Sequence, residues 1–521
     1  MTAQREEKES VKEGLGASLI ELTGAALSLE QFAAVVAGGA RVGLSPAARD
    51  GVAAARAVIE RSVASGEAVY GVNTGFGNLA NVRIADADLE TLQERLVLSH
   101  AAGVGEPLPD EAVRGMLLLR ANTLAKGHSG VRPLLIDGLL ALLNADLLPE
   151  VPSRGSVGAS GDLAPLAHLA LPLLGRGRVR RAGRFVPAAE ALASAGLAPI
   201  RLAPREGLGL VNGTQAMTSL LALAVLEAQR LVRVADLVGA LATDALRGTD
   251  AAFDPRIHAV RPHPGQLTRA RNLFGLLQGS GIRDSHRSGD RRVQDPYSLR
   301  CMPQVHGAVR DTLADVERRL LIEMNSATDN PLVFAADDEA LSGGNFHGEP
   351  MALAADFLAI ALAELASISE RRTEKLTNDT FSGLPPFLVA NAGLNSGFMM
   401  AQVTAAALVS ENKGLAHPAS VDSIPTSADK EDHVSMGMWA ALKCRQVAAN
   451  VRQVLAIEML AAAQGIDLLR PQRSSPRLEA VHAWVRTAVA PWNEDREMAP
   501  DLAAADRLLA SGDIPGLDGL E

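Results

Sequence analysis

Long stretches of apolar residues at helical spacing constrain the fold of this chain more than any other feature of its sequence. Five such stretches follow Thr214, at roughly 215–248, 303–325, 351–376, 398–414 and 436–466. In the third, apolar side chains recur every three or four residues with charged residues between them, which is typical of an amphipathic helix. Several such helices side by side form a bundle.

The composition also favours a mainly α fold. Of the 521 residues, 47% are hydrophobic but only 3% are aromatic, so small aliphatic side chains must fill the core, and these allow helices to pack closely. The predicted helices are rich in alanine around much of their circumference. We therefore expect contacts with further helices, including those of other subunits, and hence an oligomer.

Charge and hydropathy exclude two classes of partner. The formal net charge is −10, which leaves no basic excess for binding nucleic acid. The arginine-rich run near 178–186, which contains Ala-Gly between short β-prone segments, predicts a small solvated hairpin. Apolar segments such as Leu353 to Leu365 are interrupted by charge before they reach the roughly 20 residues that a bilayer requires. We expect no membrane span.

Cysteine usage and the N-terminal residues predict a cytoplasmic protein. Cys301 and Cys444 are the two cysteines of the sequence, which is no disulfide framework and suits a reducing compartment. Residues 1–17 lack the apolar core of a signal peptide and are expected to form a polar, disordered tail. We predict a loop-rich N-terminal domain over 18–213, and a long-helix bundle with C-terminal helices over 214–521.

The sequence contains two tyrosines, and both lie in polar, turn-rich loops rather than in apolar stripes. Tyr70 begins the string Tyr-Gly-Val-Asn-Thr-Gly-Phe-Gly, and Tyr297 lies within Gln-Asp-Pro-Tyr-Ser-Leu-Arg. Most tyrosines are half-buried core residues. These positions instead favour a catalytic role, because a phenol can act as an acid or a base when its neighbours perturb its pKa.

The loop of small residues from Gly155 to Leu166 contains Ser160, and several known motifs could give this serine a chemical role. The hydrolase elbow G-x-S-x-G fails because Asp162 occupies the position of the last glycine. A phosphate-binding loop fails because no Lys-Ser/Thr follows the glycines. No H-E-x-x-H or close Cys/His spacing supports a metal site at His347, His417 or His433. We expect no catalytic metal.

The full string from Gly155 to Leu166 closely resembles a region of the aromatic amino acid lyase family. In that family, Ala-Ser-Gly cyclises and dehydrates to a 4-methylidene-imidazol-5-one, so the resemblance implies this electrophile at Ala159, Ser160 and Gly161, with no external cofactor. Further matching blocks occur in the same order between about Leu29 and Pro500. They are 98–103, 212–215, 294–300, 342–347 and 431–436.

The resemblance implies a fold and an assembly. The fold is mainly α, with a long-helix bundle like that of fumarase and aspartase and a loop-rich N-terminal domain carrying the electrophile. Members of the family form homotetramers in which each active site draws loops from three chains, which agrees with the alanine-rich helices.

The resemblance also implies residue roles. Tyr70, on a mobile lid loop, is the expected base for a β-proton. Ser160 supplies the carbon that takes up the substrate amine, which makes the amine a better leaving group. Arg300 is the expected clamp for the substrate carboxylate. The residues expected to orient that carboxylate and support the carbonyl of the electrophile are Asn212, Tyr297 and Gln294.

The remaining implied positions concern the substrate ring. Phe346 is expected beside the electrophile, and His100 and Glu431 are expected to bind an imidazole. Phenylalanine and tyrosine lyases of this family usually have glutamine in place of Glu431, because a carboxylate facing a phenyl ring would be desolvated without a partner. The pattern is therefore similar to the histidine ammonia-lyase branch, whose members convert L-histidine to trans-urocanate.

Two alternatives stay open at this point. One is a phenylalanine or tyrosine lyase, or a 2,3-aminomutase, with the same electrophile. The other is a catalytically silent helical scaffold. Asp429-Lys430 also stands before Glu431 where many relatives have Asn-Gln, and Lys430 is interpreted as a neutral variation that could pair with Asp429 or Glu431.

Overall fold

A computed structural model describes residues 18–66, 69, 71–75, 77, 81–290 and 292–521. The predicted tail at 1–17 and the predicted base Tyr70 lie outside the described residues. Most of the described elements are helices, so the expectation of a mainly α fold is confirmed.

The chain divides into two compact units, and each is assembled from three separate segments. The first comprises Met1–Leu223, Arg318–Ala355 and Pro418–Leu442, and the second comprises Ala224–Glu317, Asp356–His417 and Lys443–Glu521. The sequence suggested one boundary after residue 213, and that division stays a prediction. A continuous boundary is the simplest inference from a sequence, since segments far apart in the chain carry no local sign that they pack together.

The five predicted long helices are confirmed, each within three residues of its expected ends. In chain order they are α9 (Gln215–Ala245), α14 (Met302–Met324), α15 (Glu349–Thr377), α17 (Met399–Leu415) and α18 (Gly437–Leu468). In α18 the consecutive residues Ala461, Ala462 and Ala463 are all fully buried. Small side chains allow this helix to be enclosed around its whole circumference, as the composition predicted.

The first unit contains shorter helices and the described strands. Its helices are α1 (Leu29–Val36), α2 (Pro46–Ser65), α3 (Leu89–His100), α4 (Asp110–Ala125), α5 (Pro133–Asn144), α6 (Leu163–Ala170), α7 (Ala188–Ser194) and α8 (Glu206–Val211). Their ends follow from local sequence: Ser45 caps α2 by accepting the backbone N–H of Ala48, and Pro46 and Pro133 occupy first turns, where proline is tolerated.

Small sheets connect the helices of the first unit. Strands β1 (Ser18–Leu22) and β2 (Ala40–Leu44) pair in parallel, and β3 (Val104–Pro107) pairs antiparallel with β5 (Pro152–Arg154). Strand β6 (Arg178–Arg181) lies between β4 (Leu148–Pro149) and β7 (Arg184–Pro187). A last pair joins β8 (Leu332–Phe334) to β9 (Glu339–Leu341).

The predicted arginine-rich hairpin is confirmed as β6 and β7. Arg181 pairs with Arg184, and the two turn residues, Ala182 and Gly183, have φ values of 49° and 78°. Positive φ at both central positions matches the twist of a two-residue hairpin. The run of positive charge therefore belongs to a local turn structure in the first unit.

The second unit contains the remaining short helices. They are α10 (Pro255–Ala259), α11 (Pro264–Leu276), α12 (Gly281–Asp284), α13 (Tyr297–Arg300), α16 (Asp379–Ser382), α19 (Pro476–Ala488) and α20 (Ala499–Ala510). Four-residue α13 carries both Tyr297 and Arg300, so its position decides where two of the predicted site residues point.

Among the described residues, α15 is the one helix long and apolar enough to cross a membrane by length and composition. Two-thirds of its most apolar window, 67%, is buried inside the protein. A core helix passes the same test as a membrane span, and this burial is what a core helix requires.

A buried ion pair lies in the core of the second unit and supports α13. The side chains of Arg372 and Glu458 are both 0% exposed. Arg372 donates from Nη2 to Glu458 Oε2 at 2.9 Å and from Nε to the other carboxylate oxygen. Its Nη1 donates to the backbone carbonyl of Ser298 at 3.3 Å. The guanidinium therefore connects α15 and α18 to the backbone between Tyr297 and Arg300.

Replacing Arg372 by methionine is expected to destabilise the protein by about 3–5 kcal/mol, because the Glu458 carboxylate would remain buried with the Ser369 hydroxyl but without an opposite charge. The double variant Arg372→Met/Glu458→Leu should recover much of this loss. Thermal unfolding followed by circular dichroism measures both. If the melting temperature of the double variant is no higher than that of Arg372→Met alone, the uncompensated charge of Glu458 is not the cause of the lost stability.

Candidate active site

The loop that carries Ser160 is pressed against the backbone of Gly213. Gly161 has a φ of +74°, and a Cβ added there would lie 2.1 Å from the carbonyl oxygen of Gly213. The two glycines form an isolated parallel bridge. Only glycine fits this combination of left-handed backbone and close approach. The contact holds the Ala159-Ser160-Gly161 backbone in a tight bend.

Asp162 joins that bend to the first turn of α9. Its backbone N–H donates to Gly213 O at 2.7 Å. Its fully buried carboxylate accepts the backbone N–H of Met217 at 2.8 Å and the Ser156 hydroxyl at 2.9 Å. Burial raises the pKa of Asp162 to about 6, despite these hydrogen bonds. The aspartate that excluded a hydrolase elbow is thus a helix cap beneath the serine loop.

Asn212 is placed against the serine itself. Its side-chain Nδ2 donates to the backbone carbonyl oxygen of Ser160 at 3.0 Å. The asparagine is 3% exposed, and its Oδ1 has no hydrogen-bond partner among the described residues. An amide held in this way stabilises negative charge on the Ser160 oxygen without reorganisation.

His100 ends α3 with its imidazole ring partly buried. Its Nδ1 lies 2.9 Å from the carbonyl oxygen of Leu96. Because a carbonyl only accepts, Nδ1 carries the proton in the neutral ring and Nε2 is left as an acceptor. Burial lowers the pKa of His100, although the charge of Glu431 opposes this shift. The neutral ring is therefore favoured near pH 7.

Glu431 holds its carboxylate between the hydroxyl groups of Thr426 and Ser160. Oε2 accepts the Thr426 hydroxyl at 2.6 Å, and Oε1 accepts the Ser160 hydroxyl at 3.2 Å. Thr426 and Glu431 also pair through their backbones. The turn between them contains three consecutive left-handed residues, Ser427, Ala428 and Asp429, a backbone conformation that is unfavourable for residues other than glycine.

One cavity of about 710 Å³ in the first unit brings these groups together. It is lined by six of the predicted site residues, which are His100, Ala159, Ser160, Asn212, Phe346 and Glu431. Leucines 92, 96, 163 and 208 supply apolar wall. An apolar cavity with a few convergent polar groups is the usual form of a small-molecule site.

Of the described predicted residues, Gly161, Gln294, Tyr297 and Arg300 are not part of this lining. Tyr70 lies outside the described residues, although Gly75 and Gly77 of the same loop belong to the lining. Gln294, Tyr297 and Arg300 lie in the second unit. There Tyr297 is 70% exposed, and the Arg300 guanidinium lies 4.6 Å from the centre of its ring. The Nε of Arg300 has no hydrogen-bond partner in the described parts of the chain.

Several residues that line the cavity or contact its lining had no assigned role in the sequence interpretation. Thr426 gave no signal, because a threonine five residues before a glutamate is common in any loop. His347 and His433, whose rings lie 5.9 Å apart, drew attention only as metal ligands. Among the described residues, no group of three or more His, Cys, Asp and Glu could hold a metal ion.

Lys430 also lines the cavity, but none of the ion pairs within the described chain joins it to Asp429 or Glu431. Its side chain is exposed. The Glu431 carboxylate is therefore held by hydroxyl groups rather than by this lysine.

Comparison with known proteins places this arrangement in a family. A family model described as "Aromatic amino acid lyase" matches residues 27–487. The chain belongs to the aromatic amino acid lyase family. Within this family it is 57% identical over 501 residues to a histidine ammonia-lyase of Anaeromyxobacter sp. (strain K), an alignment that covers 95% of this chain and 99% of the relative.

Solved structures in the aromatic amino acid lyase family agree with the fold. A histidine ammonia-lyase from Trypanosoma cruzi matches with a TM-score of 0.88 at 47% identity, covering 95% of this chain and 94% of that one. A tyrosine aminomutase from Streptomyces globisporus matches with a TM-score of 0.89 at 39% identity, covering 94% and 96%. The family assigned from sequence motifs is confirmed.

The buried carboxylate of Asp162 predicts a pH dependence of stability. Its pKa is raised from the ordinary value of 3.8 to about 6, so the folded protein binds this proton more tightly than the unfolded chain. The resulting stabilisation is complete below pH 3.8 and is lost as the pH rises through about 6. Its size is on the order of 3 kcal/mol.

Asp162→Asn cannot titrate at this position, so the melting temperature of the wild type should fall relative to that of the variant between pH 4.5 and pH 7. Thermal scans at several pH values measure the difference. Asp244, whose pKa burial also raises to about 6, is present in both proteins and cancels. A difference that stays constant with pH would contradict the assignment.

Proposed function

We propose that this chain is a histidine ammonia-lyase, which eliminates ammonia from L-histidine to give trans-urocanate, the first step of histidine degradation. The observation that carries the proposal is the placement of His100 and Glu431 in one cavity with Ser160. The Ser160 hydroxyl lies 3.2 Å from the Glu431 carboxylate. Groups suited to an imidazole therefore line the same cavity as the candidate electrophile.

Glu431 and His100 explain the choice of histidine in physical terms. The carboxylate of Glu431 and the Nε2 of His100 both accept hydrogen bonds, and apolar leucines line the cavity with them. A phenyl ring offers no donor, so it would leave the carboxylate desolvated without a partner, which is costly. An imidazole N–H supplies the missing donor, and a site built for such a donor rejects analogues that lack it.

The residues of the serine loop fit a methylidene-imidazolone. Cyclisation joins the Gly161 nitrogen to the Ala159 carbonyl carbon and releases one water, and loss of the Ser160 hydroxyl releases a second. The absent Cβ and the tight bend at Gly161 suit this closure. The Asn212 side chain already donates to the backbone carbonyl oxygen of Ser160. When formed, the group supplies an electron-poor alkene carbon that takes up the substrate amine.

Asn212 and Glu431 have different roles, since one acts on the electrophile and the other on the substrate. Asn212 stabilises charge on the Ser160 carbonyl oxygen through its fixed amide. Glu431, held by Thr426, orients the imidazole ring so that the substrate amine faces Ser160. Phe346 completes the apolar wall of the cavity.

Four further residues have proposed roles in the reaction. Tyr70 is the base that removes the β-proton. Arg300 binds the substrate carboxylate, with Tyr297 and Gln294 orienting it. We assign these three to the active site of a neighbouring copy, in a homotetramer with shared active sites. The unpartnered Arg300 Nε and the exposed Tyr297 support this role.

The proposed location of the enzyme is the cytoplasm. Its support is the sparse use of cysteine, since Cys301 and Cys444 are free thiols and a reducing compartment keeps thiols in this state.

A second candidate is an aromatic amino acid lyase or 2,3-aminomutase with the same electrophile. The observation that favours this candidate is the match to a tyrosine aminomutase at 39% identity. The two candidates differ in substrate, and a mutase re-adds the ammonia that a lyase releases.

The proposal predicts that the purified enzyme forms product from L-histidine but not from L-phenylalanine or L-tyrosine. Ultraviolet absorbance of the conjugated acrylate follows the reaction, and a separate assay measures released ammonia. Ser160→Ala should abolish turnover, because it removes the source of the alkene carbon. Glu431→Gln keeps the shape of the side chain but removes its charge, and kcat/KM for histidine should fall at least about 10-fold.

Product from phenylalanine or tyrosine alone would overturn the assigned roles of His100 and Glu431. Isomerised amino acid without ammonia release would favour the mutase. Silence with all three substrates would leave the scaffold interpretation.

Thr426 gives a finer prediction, because its hydroxyl donates to the Glu431 carboxylate. Thr426→Val removes that donor with little change in shape, and KM for L-histidine should rise about 10-fold, as expected for a hydrogen bond to a charged group. Thr426→Ser should restore most of the loss. Steady-state kinetics on both variants provide the measurement, and a serine variant as poor as the valine variant would show that the hydroxyl is not the cause.

A further inference from the structure

A second cavity, of about 430 Å³, lies within the second unit and shares no lining residue with the candidate active site. Its walls come from α9, α11, α14 and the last residues of the chain. Val232, Leu313 and Leu520 provide an apolar surface, and three arginines provide charge. These are Arg233, Arg269 and Arg310.

Arg269 is fully buried yet incompletely paired. Its Nη1 lies 3.0 Å from Asp236 Oδ2 and donates to the backbone carbonyl of Val232 at 3.2 Å. Its Nε and Nη2 have no hydrogen-bond partner within the described chain. Buried guanidinium N–H groups are normally satisfied. The guanidinium of Arg269 therefore keeps unused hydrogen-bonding capacity beside the cavity that the residue lines.

The Asp236 carboxylate does not belong to Arg269 alone. It also accepts the side-chain amide of Asn272 at 2.9 Å and lies 2.9 Å from Nδ1 of His306. One carboxylate therefore serves several donors, and the positive charge of Arg269 is only partly compensated.

Arg233 and Arg310 add charge that no acid in the described residues neutralises by an ion pair within 4.0 Å. Arg233 donates from Nε to the carbonyl of Gln229, one turn earlier in α9. Burial lowers the pKa of Arg269, Asp236 opposes this shift, and the charges of Arg310 and Arg233 lower the pKa further against a smaller opposing effect of Glu521. Like charges this close repel one another, and a bound anion would relieve the repulsion.

Two carboxylates also line the cavity, but both have other partners. Glu317 accepts the side-chain amide of Gln229 at 2.9 Å. Glu521 lies 3.3 Å from the guanidinium of Arg271. Neither forms an ion pair with the three arginines among the described contacts.

We propose that this cavity binds a small phosphorylated molecule, with its oxyanion on the guanidinium groups of Arg233, Arg269 and Arg310. Guanidinium groups match phosphate oxygens with paired hydrogen bonds. The apolar surface of Val232, Leu313 and Leu520 takes the organic part of the ligand. The cavity falls in the size range, roughly 300–1,000 Å³, of sites for small molecules. This site is independent of the proposed lyase activity.

The test is calorimetric titration of the full-length protein with inorganic phosphate, adenosine monophosphate and adenosine, at constant ionic strength. Both phosphate-bearing probes should bind, and adenosine should not. The variant Arg233→Gln/Arg310→Gln leaves the buried Arg269–Asp236 pair intact, and it should weaken binding at least about 10-fold. Arg261→Gln, which changes an exposed arginine outside the cavity, is the matched control and should bind as the wild type does.

Each outcome decides the matter. Equal affinity for inorganic phosphate and adenosine monophosphate would show that the site recognises the oxyanion alone. Tighter binding of adenosine monophosphate would show that the apolar surface also contacts the organic part of the ligand. No binding of either probe by the wild type overturns the proposal. Equal loss in Arg261→Gln overturns the location. Thermal unfolding of each variant without ligand shows whether it is folded, and lyase assays are not needed for any of these results.

Discussion

The buried carboxylate of Asp162 holds the serine loop against the first turn of α9, and the geometry of the candidate active site depends on this contact. Its oxygens accept the Met217 N–H and the Ser156 hydroxyl, while its own N–H donates to Gly213. The charge lies at a helix N-terminus, where the dipole favours it, yet burial opposes it. The loop is therefore held at an electrostatic cost, and a raised pKa reflects that cost.

Arg120 also stabilises the contact between the serine loop and the first turn of α9. Its buried guanidinium donates to the carbonyl oxygens of Gly209 and Asn212 and to the side chain of Gln215. These bonds hold the backbone that precedes Gly213 and the side chain of Gln215 that follows it. Burial lowers the pKa of Arg120 to about 10, partly offset by Asp329. Asn212 can therefore present its side-chain amide to Ser160 from a rigid backbone, which is the requirement for electrostatic preorganisation.

Buried charge has a similar positioning role in the second unit. Arg372, paired with Glu458, donates a hydrogen bond to the backbone of α13, which carries Tyr297 and Arg300. A four-residue helix has little stability of its own. Arg372, which lies outside this helix in sequence, therefore holds its backbone at Ser298. Isolated buried pairs contribute little net stability, so a gain in geometric definition is the better account of this one.

The sequence by itself determined the long helices and the family. Apolar periodicity located α9, α14, α15, α17 and α18 because the repeat of a helix is a local property. The small residues around Ser160 and the pair His100 and Glu431 pointed to the family because motifs preserve residue type and order. Only the tertiary structure decided the partners of Glu431, the proton position on His100 and the grouping of Arg233, Arg269 and Arg310. These depend on contacts between segments far apart in the chain, or on which backbone carbonyl a ring meets, and residue spacing carries no information about either.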